Sequence, residues 1–131
     1  FTATATSHHV LIGLSANTDG EDMDQSFGKI DYAIHLQAGG ALIVYENGTP
    51  IGTYGTYAVG DELSVQRIGN EITYLQNGEV FYTSAVASTG NLDVDGALYH
   101  GGSSFANIVI NNSGYNETTC AFITRKAACT Q

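Results

Sequence analysis

The feature that most constrains this chain is an alternation of apolar and polar residues with period two, cut at short intervals by Gly and Asn. That period is the signature of β-strands, whose successive side chains point to opposite faces. Residues 30–37, IDYAIHLQ, place Ile30, Tyr32, Ile34 and Leu36 on one face, with Ala33 and the polar Asp31, His35 and Gln37 on the other. The same pattern predicts strands over 1–7, 8–14, 41–46, 51–57, 62–68, 71–76, 79–84, 92–99 and 104–110, about ten in all. Gly39-Gly40, Asn47-Gly48, Gly69-Asn70 and Asn77-Gly78 punctuate them. Asn-Gly tolerates the positive φ that a two-residue hairpin turn demands. No segment carries a sustained helical period. The expected fold class is all-β, an antiparallel β-sandwich.

With 131 residues, the chain reads as one domain over 1–110. Residues 111–131 form a C-terminal tail or an added strand. The chain opens in mid-strand, which reads as a mature form or a piece of a longer polypeptide. Thirteen acids face four Lys and Arg residues, for a net charge of -9. Four cations do not make a phosphate-binding stripe, which argues against nucleic acid. No apolar run approaches the roughly 20 residues of a membrane helix, which argues against membrane insertion.

Cys120 and Cys129 lie close together in the tail, and the spacing suits a disulfide in an oxidising compartment. Asn47, Asn111 and Asn116 each open a sequon for N-glycosylation. Together these residues predict an extracellular or cell-surface protein.

Residues 60–78 read GDELSVQRIGNEITYLQNG. This series resembles that of concanavalin-like and SPRY-like sandwiches: Gly-Asp, an apolar strand, a Gly turn, Ile-x-Tyr, then Asn-Gly. The wider stretch IGLSANTDGEDMDQSFGKIDYAIHL, then VYENG and GTYGTYAVGD, looks like a bacterial and algal secreted branch of that superfamily. The resemblance spans about residues 8–110. It implies a jelly roll of two packed sheets, with a glycan or protein site on the concave face or in the loops. It does not imply catalysis, because one sandwich hosts lectins, glucanases and protein-binding modules alike.

Four sets of residues bear on chemistry. Asp19, Glu21, Asp22 and Asp24 crowd one loop. They read as either a calcium site built of hard oxygen ligands or a solvated acidic loop. Asp93 and Asp95 form a second acidic pair. No two carboxylates repeat the paired arrangement of sandwich glucanases, and Glu62, Glu71 and Glu79 mark strand starts. His8 and His9 are adjacent and so face opposite ways on a strand, while His35 and His100 stand isolated in the sequence. All four read as surface or edge residues. Tyr54, Tyr57, Tyr74, Tyr82 and Tyr99 read as either a sugar-stacking face or cross-strand packing partners.

The expected function is a non-catalytic extracellular module that binds glycans or serves adhesion. The alternative is a structural subunit of an extracellular filament or surface layer, a homo-oligomer assembled by strand exchange with neighbouring protein subunits. In that case Phe1–Ser7 or Ala121–Thr124 would be donated to the next subunit. A glycoside hydrolase is third. Intact mass tests the covalent expectations. Reduction adds two hydrogens for a Cys120–Cys129 disulfide, and a glycan-removing enzyme lowers the mass of a glycosylated chain. A mass unmoved by both treatments overturns both.

Overall fold

The computed structural model describes residues 1–16, 28, 30–110, 120–123 and 126–129, the last two ranges as backbone. The strands are β1 (Thr2–Ala3), β2 (Val10–Ser15), β3 (Tyr32–Leu36), β4 (Ala41–Glu46), β5 (Thr49–Thr56) and β6 (Leu63–Ile68). They continue with β7 (Glu71–Gln76), β8 (Glu79–Thr83), β9 (Asp93–Leu98), β10 (Phe105–Ala106), β11 (Cys120–Ile123) and β12 (Lys126–Cys129). All pairings are antiparallel, and the chain is an all-β sandwich.

The larger sheet runs β9-β2-β3-β4-β5, and β12 then β11 extend it past β9. The second face is built by β6-β7-β8 together with the β1-β10 pair. A bridge between Thr2 and Glu62 joins those two groups. Phe1 and Leu63 exchange backbone hydrogen bonds at 2.9 and 2.8 Å beside it.

Alternation decides what lies between the sheets. From the larger sheet come Val10, Tyr32, Ile34, Leu36, Leu42 and Val44; from the other come Ala3, Leu63, Ile72 and Tyr74. Each Val, Leu and Ile among them contributes about 1.5–3 kcal/mol on leaving water. In β4 the buried positions are Leu42, Val44 and Glu46, every second residue. Strand β3 is buried on both faces, because a smaller cluster of Leu11, Ile30, Ala33 and Ala97 covers its outer side.

The Asn-Gly turns adopt the expected geometry. Asn47 and Gly48 have φ of 49° and 73°, and Asn77 and Gly78 have 51° and 83°. Positive φ at both central positions matches the right-handed twist of the flanking strands. Asp61 accepts the Ala58 N–H at 2.9 Å, and also Gln76 Nε2 and Asn77 Nδ2. Asn77, then the Ala58 amide, then Gln76 hold its carboxyl below the ordinary range.

Two strands are shorter than the pattern predicts. Only Thr2–Ala3 of residues 1–7 and only Phe105–Ala106 of residues 104–110 are strand. Asn107 has φ of 52°, which breaks the extended backbone, and its Nδ2 donates to Thr2 Oγ1 at 3.1 Å. In the tail, Cys120 sits opposite Cys129 in the β11-β12 register. Paired strand positions bring Cα atoms to about 4.5–5.5 Å, within the span a disulfide needs.

A side-chain polar contact crosses the core between β4 and β7. Tyr74 Oη donates to Glu46 Oε1 at 3.0 Å, and Glu46 is 5% exposed. Burial first, and the Glu46 carboxylate after it, push the Tyr74 phenol well above its ordinary pKa. It therefore remains a donor throughout the physiological range. Tyr74→Phe removes that donor from a buried carboxylate. The expected loss is about 1–3 kcal/mol, read as a lower midpoint in urea unfolding. An unchanged midpoint would remove Tyr74 from the polar support of the core.

Candidate functional site

The outer face of the larger sheet carries a cavity of about 320 Å³, lined by His9, Leu11, His35, Tyr45 and Tyr99. Strand register assembles it. Leu11 lies opposite His35 across β2-β3 and opposite Ala97 across β2-β9. His9, two positions before Leu11, therefore shares its face and stands diagonal to His35. Tyr45 lies opposite Ala33, which puts it diagonal to His35 on the other side. Tyr99 donates its backbone N–H to the His9 carbonyl at 3.3 Å, which sets its ring beside His9.

The rings contact one another across the sheet. His9 Nδ1 and His35 Nε2 are 3.1 Å apart. Tyr45 meets His35 edge to face at 5.1 Å between ring centroids, and Tyr99 meets His9 at 6.4 Å. His100 stacks on His9 at 5.5 Å and accepts the His9 backbone N–H on Nδ1 at 3.4 Å. His8 packs on the far side of the cluster, 5.5 Å from His100.

His35 is 7% exposed, and its Nδ1 is buried without a hydrogen-bond partner. Burial, and after it the neighbouring His9, pushes its pKa down to about 4. The ring is therefore neutral at pH 7. Among the described residues no Asp, Glu, Lys or Arg lines the cavity, and ring edges supply its polarity. Tyr99 is 48% exposed and forms the rim. Burial raises its phenol, with Tyr45 a lesser cause.

The histidines thus form a cluster, where the sequence reading had His35 and His100 isolated and all four at the surface or an edge. They sit on strands and loops far apart in the chain, and spacing carries no signal of such proximity. Leu11 and Tyr45 were missed for the same reason. Tyr99 alone of the five tyrosines reaches the cavity. Tyr57 and Tyr74 are buried in the inter-sheet core, where their rings present no face to a sugar. Tyr57 Oη donates to the Gln37 carbonyl at 3.0 Å. Tyr54 and Tyr82 pack against that same core, 4.8 Å from each other. These four pack on the inter-sheet core, with Tyr74 paired to Tyr82 across β7-β8.

The other expected sites divide by position. Asn47 is exposed at the β4-β5 turn, as a glycan acceptor must be. Glu62, Glu71 and Glu79 are exposed at the starts of their strands. Asp93 and Asp95 share β9, and Asp95 Oδ1 accepts the Gly96 N–H at 2.7 Å. The acidic loop of Asp19, Glu21, Asp22 and Asp24, and the sequons at Asn111 and Asn116, lie outside the described residues. So do the side chains of Cys120 and Cys129.

No family model, curated protein or solved structure matches the chain.

The lowered His35 pKa links stability to pH. The unfolded ring titrates near 6.5 and the folded ring near 4, so the unfolded chain binds more protons between those values. Stability from this residue is complete above about pH 6.5, falls as pH drops, and levels off below about pH 4. The effect is on the order of 2 kcal/mol after discounting for solvent at the cavity edge. Urea unfolding of the chelator-treated protein from pH 7 to 4 measures it. A slope that persists in His35→Gln assigns the effect to other groups.

Proposed function

We propose that this protein is a non-catalytic binding module that holds a neutral glycan on the outer face of its larger sheet. The observation that carries the proposal is the ring-lined cavity of His9, His35, Tyr45 and Tyr99. Aromatic faces pack against the C–H faces of a sugar, while imidazole and phenol edges exchange hydrogen bonds with its hydroxyls. Its volume, about 320 Å³, is at the lower end for small-ligand sites and suits one or two sugar rings. A lining without Asp, Glu, Lys or Arg among the described residues supports a neutral ligand over an anionic one.

The resemblance of residues 60–78 to concanavalin-like sandwiches supports the same reading. An extracellular setting goes with it, on the cysteine pair and the sequons. Part of each segment named as a filament donor is paired within this chain: Phe1–Ala3 of Phe1–Ser7 with Asp61–Leu63 and β10, and Ala121–Ile123 of Ala121–Thr124 with β12. That pairing supports the binding module over the strand-exchanged subunit.

A glycan array probed with the full chain tests the proposal. At least one class of neutral glycan should bind, and Tyr99→Ala at the rim should weaken it about tenfold or more. An array without hits, beside fibres in electron micrographs of the same material, would favour the filament subunit instead.

A further inference from the structure

The facing nitrogens of His9 and His35 have a geometry that goes beyond glycan binding and does not rest on it. Their separation is 3.1 Å. An ion about 2.05 Å from each nitrogen, the usual zinc–imidazole length, would see the pair at an angle of about 98°. That lies between the ~90° of square-planar copper or nickel and the ~109° of tetrahedral zinc.

We propose that His9 Nδ1 and His35 Nε2 form a chelating pair for a nitrogen-preferring divalent transition ion, Cu²⁺, Ni²⁺ or Zn²⁺. The coordination positions left over open into the cavity, where water fills them. Both rings border that cavity, so an ion off the line between the nitrogens has room.

Two further observations support the pair. Ligation through Nε2 requires the His35 proton on Nδ1. That nitrogen has no partner with or without an ion, so the fold already carries the cost of leaving it alone. His100, stacked on His9, limits the swing of the ring that must meet the ion. Among the described residues no group of three His, Cys, Asp or Glu side chains converges to hold a metal. The site is therefore a two-nitrogen chelate of micromolar rather than nanomolar strength. Oxygen-preferring Ca²⁺ and Mg²⁺ are not its ions.

The test uses the full chain, stripped with a chelator and dialysed at pH 7.5. Cu²⁺ is titrated in and read by electron paramagnetic resonance. Zn²⁺, Ni²⁺ and Ca²⁺ are titrated in and read by calorimetry. One equivalent of Cu²⁺ should bind with directly coordinated imidazole nitrogens, and Zn²⁺ should compete with it. Ca²⁺ should leave that signal unmoved. His9→Gln, at a half-buried ring whose loss spares the core, should weaken binding about tenfold or more, whereas His8→Gln should not. Copper binding that survives unchanged in His9→Gln overturns the proposal. So does the absence of Cu²⁺, Ni²⁺ and Zn²⁺ binding at about 100 µM. Neither outcome bears on the glycan array, which is run in chelator.

Discussion

Everything on this molecule's surface depends on one constraint, the two-residue period of a strand clamped by burial. Val10, Ile34, Leu36, Leu42 and Val44 are driven between the sheets, where they meet Leu63, Ile72 and Tyr74. Once those residues are inside, their chain neighbours are committed to the outer face in a set order. His9, Leu11, His35 and Tyr45 are such neighbours. A slip of one residue in β2 or β3 would turn the whole set inward, so the core that stabilises the fold also holds the cavity in register. Gly13 marks the tightest point of that arrangement. A Cβ there would collide with the Tyr32 carbonyl, so β2 can lie this close to β3 only with glycine at that position.

Net charge and the ring-lined cavity part company in this protein. The net charge of -9 suggests a cationic partner at first sight. The cavity takes little part in it, since among the described residues no Asp, Glu, Lys or Arg lines it. Among the described residues one acid, Glu46, is buried, and it points into the core to meet Tyr74. Exposed acids at Glu62, Glu71 and Glu79 hydrate strand ends. A ring-lined face without Asp, Glu, Lys or Arg among its described residues is a poor surface for attracting ions at a distance. It is a good one for stacking and short hydrogen bonds, and imidazole nitrogens also suit soft or borderline metals better than hard ones.

Most of the strand pattern was legible because its causes are local. Alternation in IDYAIHLQ and the Asn-Gly pairs at 47–48 and 77–78 act over two to eight residues. The site was not legible because its members are 26 and 65 residues apart, at positions 9, 35 and 100. The reasoning that adjacent His8 and His9 point apart was sound for one strand. It had no means of placing a third and fourth imidazole against them from β3 and from the turn after β9. The tyrosines show the same limit. An alternating Tyr suits a core and a sugar face equally well until the sheet that covers it is known.

The sequence by itself determined the fold class, the near-complete set of strands and the hairpin turns, because hydrophobic period and turn chemistry are properties of neighbouring residues. Only the tertiary structure decided which tyrosines are core and which is rim, and that the scattered histidines meet. Cross-strand contact depends on strand order and register, which arise when two whole sheets close on each other and which no short stretch of chain encodes.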